Sequence, residues 1–118
     1  MVNIIVDGEG GDFAPHEIMK GVMEASEKAP FRILVTGRES ILKAYESKVS
    51  VINCDDPPPA EEPSTEAYRK KRNSSLFIAL DLIKEGRGDA FITAGGTGAF
   101  LVGATMILRR LKGIERPA

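Results

Sequence analysis

The stretch V-N-I-I-V-D-G-E-G-G-D-F-A-P, residues 2–15, decides the fold that we predict for this chain. It begins with a short β-branched apolar run, residues 2–6, which is typical of a strand buried on both faces of a parallel sheet. Asp7 and three glycines end the run, and Pro15 suits the first turn of a helix that continues to about residue 28. The stretch therefore predicts a strand, a tight loop and a helix, which is the repeating unit of an α/β fold.

The same alternation continues along the rest of the chain. Strand signals recur at residues 31–36, 49–52 and 90–93. Helical patterns lie at residues 38–45, after a cap at Ser64, after a cap at Asn73 or Ser74, and at residues 98–111. A loop rich in prolines and acids, residues 55–63, separates the two halves. We therefore predict one α/β domain over residues 1–118, a three-layer αβα arrangement with a mainly parallel sheet.

The last helical pattern, residues 98–111, carries apolar residues on most of its sides. A helix of that kind is usually covered by other parts of the fold. We therefore expect it to be largely buried, within this chain or against a second copy or further protein.

Composition limits the class of protein. The 118 residues suit one globular domain, and 16 basic residues nearly balance 17 acidic ones, which argues against nucleic acid as a main partner. The single cysteine, Cys54, excludes an internal disulfide and a multi-cysteine metal site. No apolar run is long enough to span a bilayer. We expect a soluble, cytoplasmic protein with no metal and no cofactor.

The first glycine-rich loop, residues 7–12, follows the predicted first strand. Gly10 and Gly11 let the backbone approach a ligand closely, and Asp7 and Asp12 flank them. Those carboxylates can hold a cation or orient a nucleophile, whereas the plainer interpretation is a tight turn with Asp12 capping the next helix. Phe13 stands where a dinucleotide fingerprint needs its third glycine, so a Rossmann cofactor site is disfavoured.

The second glycine-rich loop, A-G-G-T-G at residues 94–98, is the better candidate for binding phosphate. Gly95, Gly96 and Gly98 expose backbone N–H groups before a helix, and Thr97 adds a hydroxyl. No Lys-Ser or Lys-Thr pair follows as in a Walker A loop, which disfavours nucleotide hydrolysis. The alternative is that small residues let the helix approach the sheet closely.

The basic segment K-K-R-N-S-S, residues 70–75, adds cations and hydroxyls in front of another helix. Lys70, Lys71, Ser74 and Ser75 can converge on one anion there, although a run of charges is more often a solvated helix face. His16, the only histidine, is a secondary candidate, since it lacks a partner at a known spacing.

Five separated blocks, taken in order, resemble the bacterial phosphate acyltransferase family, PlsX. They are D-G-E-G-G-D-F-A-P, R-K-K-R-N-S-S, L-I-K-E-G-R-G-D-A, T-A-G-G-T-G-A and I-L-R-R-L-K-G-I-E-R-P-A. The resemblance runs over residues 1–118 and implies about the N-terminal third of such an enzyme. It implies an isocitrate/isopropylmalate dehydrogenase-like fold and transfer of a fatty acyl group from acyl-carrier protein to inorganic phosphate. It also implies a homo-oligomer in the cytoplasm that touches the membrane peripherally.

The resemblance also implies site residues. Its three segments carry over to Asp7, Gly10, Gly11 and Asp12, to Lys70, Lys71, Ser74 and Ser75, and to Gly95, Thr97 and Gly98. Gly96, in the same loop, is a further candidate for binding phosphate. From these we assign Lys71, Ser75 and Asp12 to catalysis. The chain departs from the family pattern at Gly8 and Glu9, at Asn73, and at Gly96, where the family has asparagine. The alternatives are a non-catalytic binding module and the acetyl-phosphate-forming subunit of a glycine reductase-type complex.

Overall fold

The computed structural model describes residues 1–28, 30–46, 49–60 and 62–114. Among them, the strands are β1 (Asn3–Asp7), β2 (Arg32–Gly37), β3 (Ser50–Asn53) and β4 (Ala90–Ile92). They form one sheet in the order β3-β2-β1-β4, and each neighbouring pair is parallel. The predicted parallel sheet with a central first strand is confirmed, with strand ends shifted by about one residue.

The helices are α1 (His16–Lys28), α2 (Glu39–Leu42), α3 (Ser64–Lys70), α4 (Ser75–Lys84) and α5 (Thr97–Gly103). A 3-10 turn, Lys43–Tyr45, follows α2, and a π-helical segment, Ala104–Leu108, follows α5. The predicted helices are therefore present among the described residues, although the second is mostly a single turn. None of these helices is long and apolar enough to cross a membrane. Residue 61 of the predicted loop and residues 115–118 of the last block lie outside the described residues.

Helices pack on both faces of the sheet because alternate strand residues point in opposite directions. On one face, Val6 of β1 and Val35 of β2 pack with Met19 of α1. On the other face, Ile5 of β1 packs with Ala79 of α4. The sheet therefore lies between α1 and α4, with apolar cores on both sides.

Among the described residues, this chain covers the last helix on one side only, so the prediction of burial within the chain itself is wrong. Burial against a second copy or further protein stays a prediction. Gly103 packs closely on α4, because an added Cβ would lie 2.8 Å from side-chain atoms of Leu80 and Phe77. No other described residue covers the opposite side to the same extent, and Met106 and Leu108 are 56% and 40% exposed. The apolar sequence pattern predicted burial on every side, whereas the fold supplies a partner for one side only.

Both predicted serine caps are also wrong as side-chain caps. Ser64 is the first residue of α3, and its N-cap is Pro63. Ser74 is the N-cap of α4, but its side chain makes no capping hydrogen bond. Ser64 instead lies against the 94–98 loop, and Ser74 is fully buried.

Candidate functional site

A cleft of about 660 Å³ lies beyond the carboxyl ends of β1 and β4. The first loop forms one wall, residues 94–99 form another, and residues 58–60 with Glu62 and Ser64 close a third side. Parallel strands place the loops that follow them at the same edge of a sheet, which is why residues far apart in sequence meet here. The fold therefore brings together both glycine-rich loops that the sequence singled out.

Asp7 is the centre of the hydrogen bonds beneath the cleft. Its side chain is at the end of β1 and is 2% exposed. Oδ1 accepts hydrogen bonds from the Ser75 hydroxyl and, at 3.1 Å, from the Glu9 N–H. Oδ2 accepts a hydrogen bond from the Thr93 hydroxyl at 2.9 Å. Asp7 therefore ties the first loop to α4 and to the residue after β4.

The two glycine-rich loops are in direct contact. Gly11 has a φ of 110°, a conformation that favours glycine, and an added Cβ would lie 3.1 Å from the carbonyl oxygen of Ala94. An added Cβ on Gly95 would lie 3.5 Å from Cα of Gly10. The glycines therefore do permit a tight turn and close contact, as the plainer interpretation predicted. The same close contact between the two loops forms the cleft.

Glu9 departs from the family pattern, and the structure gives it a partner. Its side chain is 4% exposed and lies 2.8 Å from the Arg38 guanidinium. It also accepts hydrogen bonds of 2.9 Å from the Arg38 backbone N–H and from Nε. A buried carboxylate with three donors from one residue is well compensated. The pair fixes the first loop to the segment that precedes α2.

The two lysines of the basic segment have different partners. Lys70 is 65% exposed and pairs with Glu66 on the same face of α3. Lys71 is 27% exposed, pairs with Glu62, and lies 3.4 Å from the carbonyl oxygen of Pro58. Neither lysine lines the cleft, but Glu62 does. Lys71 therefore contacts a residue that lines the cleft, whereas Lys70 pairs with Glu66, which does not line it.

The ion pair with Lys71 changes the titration of Glu62. The hydrogen bond from Lys71 lowers the pKa of the Glu62 carboxyl from 4.5 to about 2. A lowered pKa in the folded state adds stability above the unfolded value of 4.5, and that contribution is lost as the pH falls toward 2. Glu62 is therefore an anion already bound to the lysine that we assign to phosphate.

The two serines of the basic segment are fully buried. The Ser75 hydroxyl donates to Asp7, and the Ser74 hydroxyl has no hydrogen-bond partner among the described residues. Neither serine lines the cleft. Asp12 is exposed and lines the cleft, whereas His16 is exposed at the start of α1 and is not among the lining residues. The sequence-based set is thus split between the cleft and the hydrogen bonds beneath it.

Sequence reasoning missed Thr93, Ser64, Glu62 and Arg38. Thr93 had a usable signal, because it is the last residue of a predicted strand, at the edge of the sheet where ligands bind. Ser64 was interpreted as a helix cap, but its hydroxyl is so close to Gly98 that an added Cβ there would overlap it. The roles of Glu62 and Arg38 depend on partners distant in sequence, and no local pattern indicates them.

Cys54 is buried and is not among the residues that line the cleft. Burial raises the pKa of the Cys54 thiol to about 12, so it stays protonated at neutral pH. Among the described residues, no group of three or more histidine, cysteine, aspartate or glutamate side chains could hold a metal ion.

Comparison with known proteins gives similarity to phosphate acyltransferases. The chain is 43% identical to the phosphate acyltransferase of Clostridium kluyveri over 98% of its own length and 36% of that protein's. It is 42% identical to that of Clostridium novyi, over 99% of the chain and 38% of the relative. It is 43% identical to that of Thermotoga petrophila, over 99% of the chain and 34% of the relative. The chain thus spans about a third of the length of these relatives.

A family model described as "Fatty acid synthesis protein" matches residues 2–118. The match takes in both glycine-rich loops and the basic segment, including the parts that meet at the cleft. The resemblance found in the sequence motifs is therefore confirmed, and this chain belongs to the fatty acid synthesis protein family, that of the PlsX phosphate acyltransferases.

Proposed function

We propose that this chain supplies the phosphate-binding part of an enzyme that moves a fatty acyl group from acyl-carrier protein to inorganic phosphate. The product is acyl phosphate for phospholipid synthesis. The observation that carries the proposal is the cleft between the two glycine-rich loops, at the edge of a parallel sheet where ligands usually bind. Family membership and the names of the relatives support the reaction.

The 94–98 loop is the part of the cleft best suited to an anion. Gly96, Thr97 and Gly98 are exposed and line the cleft. The space in front of Gly96 is open, since an added Cβ meets no described atom within 4 Å. N–H groups in the first turn of a helix have no acceptor inside it and can donate to phosphate oxygens. Backbone donors and the Thr97 hydroxyl therefore take the place of the asparagine amide found in the family.

The cleft needs a cation before it can hold phosphate. Its lining includes the carboxyl groups of Asp7, Glu9, Asp12 and Glu62, which repel an anion. We assign the cation to Lys71, because its ammonium group already contacts a carboxylate of the cleft wall. Phosphate can bind by replacing Glu62 as the partner of that lysine.

In this mechanism phosphate attacks the thioester directly. One oxygen of hydrogen phosphate forms a bond to the carbonyl carbon and the C–S bond breaks. The sulfur leaves on the carrier protein and takes the proton that the phosphate gives up, which yields acyl phosphate and the free thiol. Lys71 offsets the charge of phosphate, while backbone N–H groups orient it against the carbonyl carbon. No covalent enzyme intermediate is needed. Ser75 contributes by holding Asp7 in place, and Asp12 stays a candidate at the exposed rim.

The finer implications of the resemblance are proposals too. We propose an isocitrate dehydrogenase-like fold for the full enzyme, a homo-oligomer, and peripheral contact with the membrane. The apolar side chains exposed on the last helical segment, Leu101, Met106 and Leu108, support a surface that further protein or lipid covers.

A non-catalytic binding module is the second candidate. The same exposed apolar residues favour it, because they offer a docking surface whether or not the cleft is catalytic. In that case the cleft need not bring phosphate and a thioester together.

The experiment joins a product assay to a binding assay on the same chain. Acyl-carrier protein thioester and phosphate are added, hydroxylamine traps acyl phosphate, and phosphate binding is followed through the amide NMR signals of residues 95–98. We expect trapped product and shifted signals. Lys71→Ala should raise the phosphate requirement about tenfold or more, since a hydrogen bond to a charged group is lost. Lys84→Ala, an exposed lysine at the end of α4, is the charge-matched control.

The outcomes separate the candidates. Shifted signals without product, from a chain that circular dichroism shows to be folded, would favour the binding module. Signals that do not move at saturating phosphate would overturn the phosphate site in the 94–98 loop.

A further inference from the structure

We propose that Thr93 is a positioning residue that sets the conformation of the 94–98 loop and thereby aims its N–H groups at phosphate. The inference deepens the proposed function and rests on it for the identity of the anion. It begins with the hydroxyl of Thr93, which lies between a buried carboxyl group and the backbone of the loop.

The direction of the hydrogen bonds follows from donor and acceptor chemistry. Thr93 Oγ1 is 2.9 Å from Asp7 Oδ2, and it is 3.0 Å from the backbone nitrogen of Gly95. The Gly95 N–H can only donate, so the hydroxyl oxygen accepts there and sends its single proton to Asp7. The hydroxyl is thereby fixed in one orientation, and it holds the Gly95 N–H away from the anion while the following residues face the cleft.

Asp7 is itself held rigidly, which makes it a suitable anchor. It is 2% exposed, and the hydroxyl of Ser75 and the N–H of Glu9 both donate to its other oxygen. Hydrogen bonds in such a chain polarise and strengthen one another in a buried setting. A chain of hydrogen bonds therefore connects α4 to the 94–98 loop through Ser75, Asp7 and Thr93.

Thr93 is packed closely against both glycine-rich loops, which limits the conformations available to the 94–98 loop. An added Cβ on Gly95 would lie 3.2 Å from Thr93 Oγ1, and one on Gly10 would lie 2.8 Å from it. The hydroxyl therefore also fills the space where the two glycine-rich loops meet. Thr93 acts through the loop, because it is not among the residues that line the cleft.

The test compares Thr93→Val, which keeps the shape but removes the hydroxyl, with Thr93→Ser, which keeps the hydroxyl. The first readout is hydrogen exchange at the Gly95 amide, and it needs no ligand. The second is the phosphate concentration that half-saturates the amide signals of residues 96–98. We expect Thr93→Val to speed exchange at Gly95 and to raise that concentration about tenfold, with Thr93→Ser close to the unmodified chain.

Thr36→Val is the matched control for loss of a buried hydroxyl. Thr36 lies near the end of β2 and is 0% exposed. It donates to the backbone carbonyl of Ser75 at 2.9 Å and not to the Ser75 hydroxyl that contacts Asp7. It does not contact the 94–98 loop in any described hydrogen bond. Thr36→Val should lower stability comparably but leave exchange at Gly95 unchanged.

Each result decides the matter. Unchanged exchange at Gly95 in Thr93→Val would overturn the positioning role, as would equal phosphate binding by the valine and serine variants and the unmodified chain. Faster exchange in a chain that never binds phosphate would keep Thr93 as the residue that orders the loop, and would instead refute the proposed anion.

Discussion

Replacing Gly10 by alanine tests how firmly the two glycine-rich loops are joined. An added Cβ would lie 2.5 Å from Asp7 Oδ2 and 2.8 Å from Thr93 Oγ1, whereas ordinary contact begins at 3.4 Å. The methyl group would therefore overlap both partners of the 2.9 Å hydrogen bond between Asp7 and Thr93. Neither atom belongs to a long flexible side chain that can swing aside.

The magnitude follows from three effects. Overpacking a well-filled interior costs about 1–3 kcal/mol. If the methyl group also separates Asp7 from Thr93, a buried oxygen loses its partner, which costs about 1–3 kcal/mol more. Alanine restricts the unfolded chain and returns about 0.4–1 kcal/mol. We expect Gly10→Ala to lower the free energy of unfolding by about 2–4 kcal/mol.

Urea unfolding followed by far-ultraviolet circular dichroism measures the effect. Gly96→Ala is the matched control in the neighbouring loop, because Gly96 has a φ of −63° and open space beside it. Its free energy of unfolding should rise by about 0.4–1 kcal/mol, because alanine fits there and restricts the unfolded chain. Equal stability of the two variants would refute the reasoning, since the Asp7 and Thr93 side chains would then be free to move apart.

Three further substitutions test the site and the fold. Glu62→Gln should lower the phosphate concentration needed for half-saturation, because a neutral amide competes less with phosphate for Lys71. Glu66→Gln, which changes the partner of Lys70, should leave that concentration unchanged. Phosphorus NMR titration compares the two variants, and equal curves would contradict the replacement of Glu62 by phosphate as the partner of Lys71. Gly96→Asn restores the family amide in open space and should tighten phosphate binding about tenfold in the same titration; no gain would place the anion elsewhere. Gly21→Ala, inside α1 with nothing within 4 Å, should add about 0.5–1 kcal/mol to the free energy of urea unfolding, and a loss would contradict the helix there.

Local patterns predicted the sheet because its strands are buried on both faces. The run at residues 2–6 is apolar except for Asn3 at its start, and Asp7 then leads into glycines that permit the turn. The observed β1 spans Asn3–Asp7, at the centre of the sheet with β2 and β4 beside it. The sequence also placed each glycine-rich loop directly after a strand, whereas the contact between the two loops is a finding of the structure.

Local sequence patterns could not predict which partners the polar side chains of the site have. Lys70 and Lys71 are adjacent and look equivalent in sequence, but helix geometry gives the first to Glu66, four residues earlier, and a loop gives the second to Glu62. Ser74 and Ser75 likewise looked like two hydroxyls facing one anion, whereas both are buried. The last helix shows the same limit, because an apolar pattern indicates what needs cover but not which element supplies it.

The hydrogen bonds of Asp7 join segments that lie far apart along the chain. Ser75 is 68 residues from Asp7, and Thr93 is 86 residues from it. Contacts of such long sequence separation form late, since the intervening chain must first be ordered. The cleft should therefore assemble together with the whole sheet, and no short peptide from either loop should reproduce it. A ligand that binds only the folded cleft would then raise the melting temperature of the entire sheet, so a thermal-shift screen can report on ligands for this site.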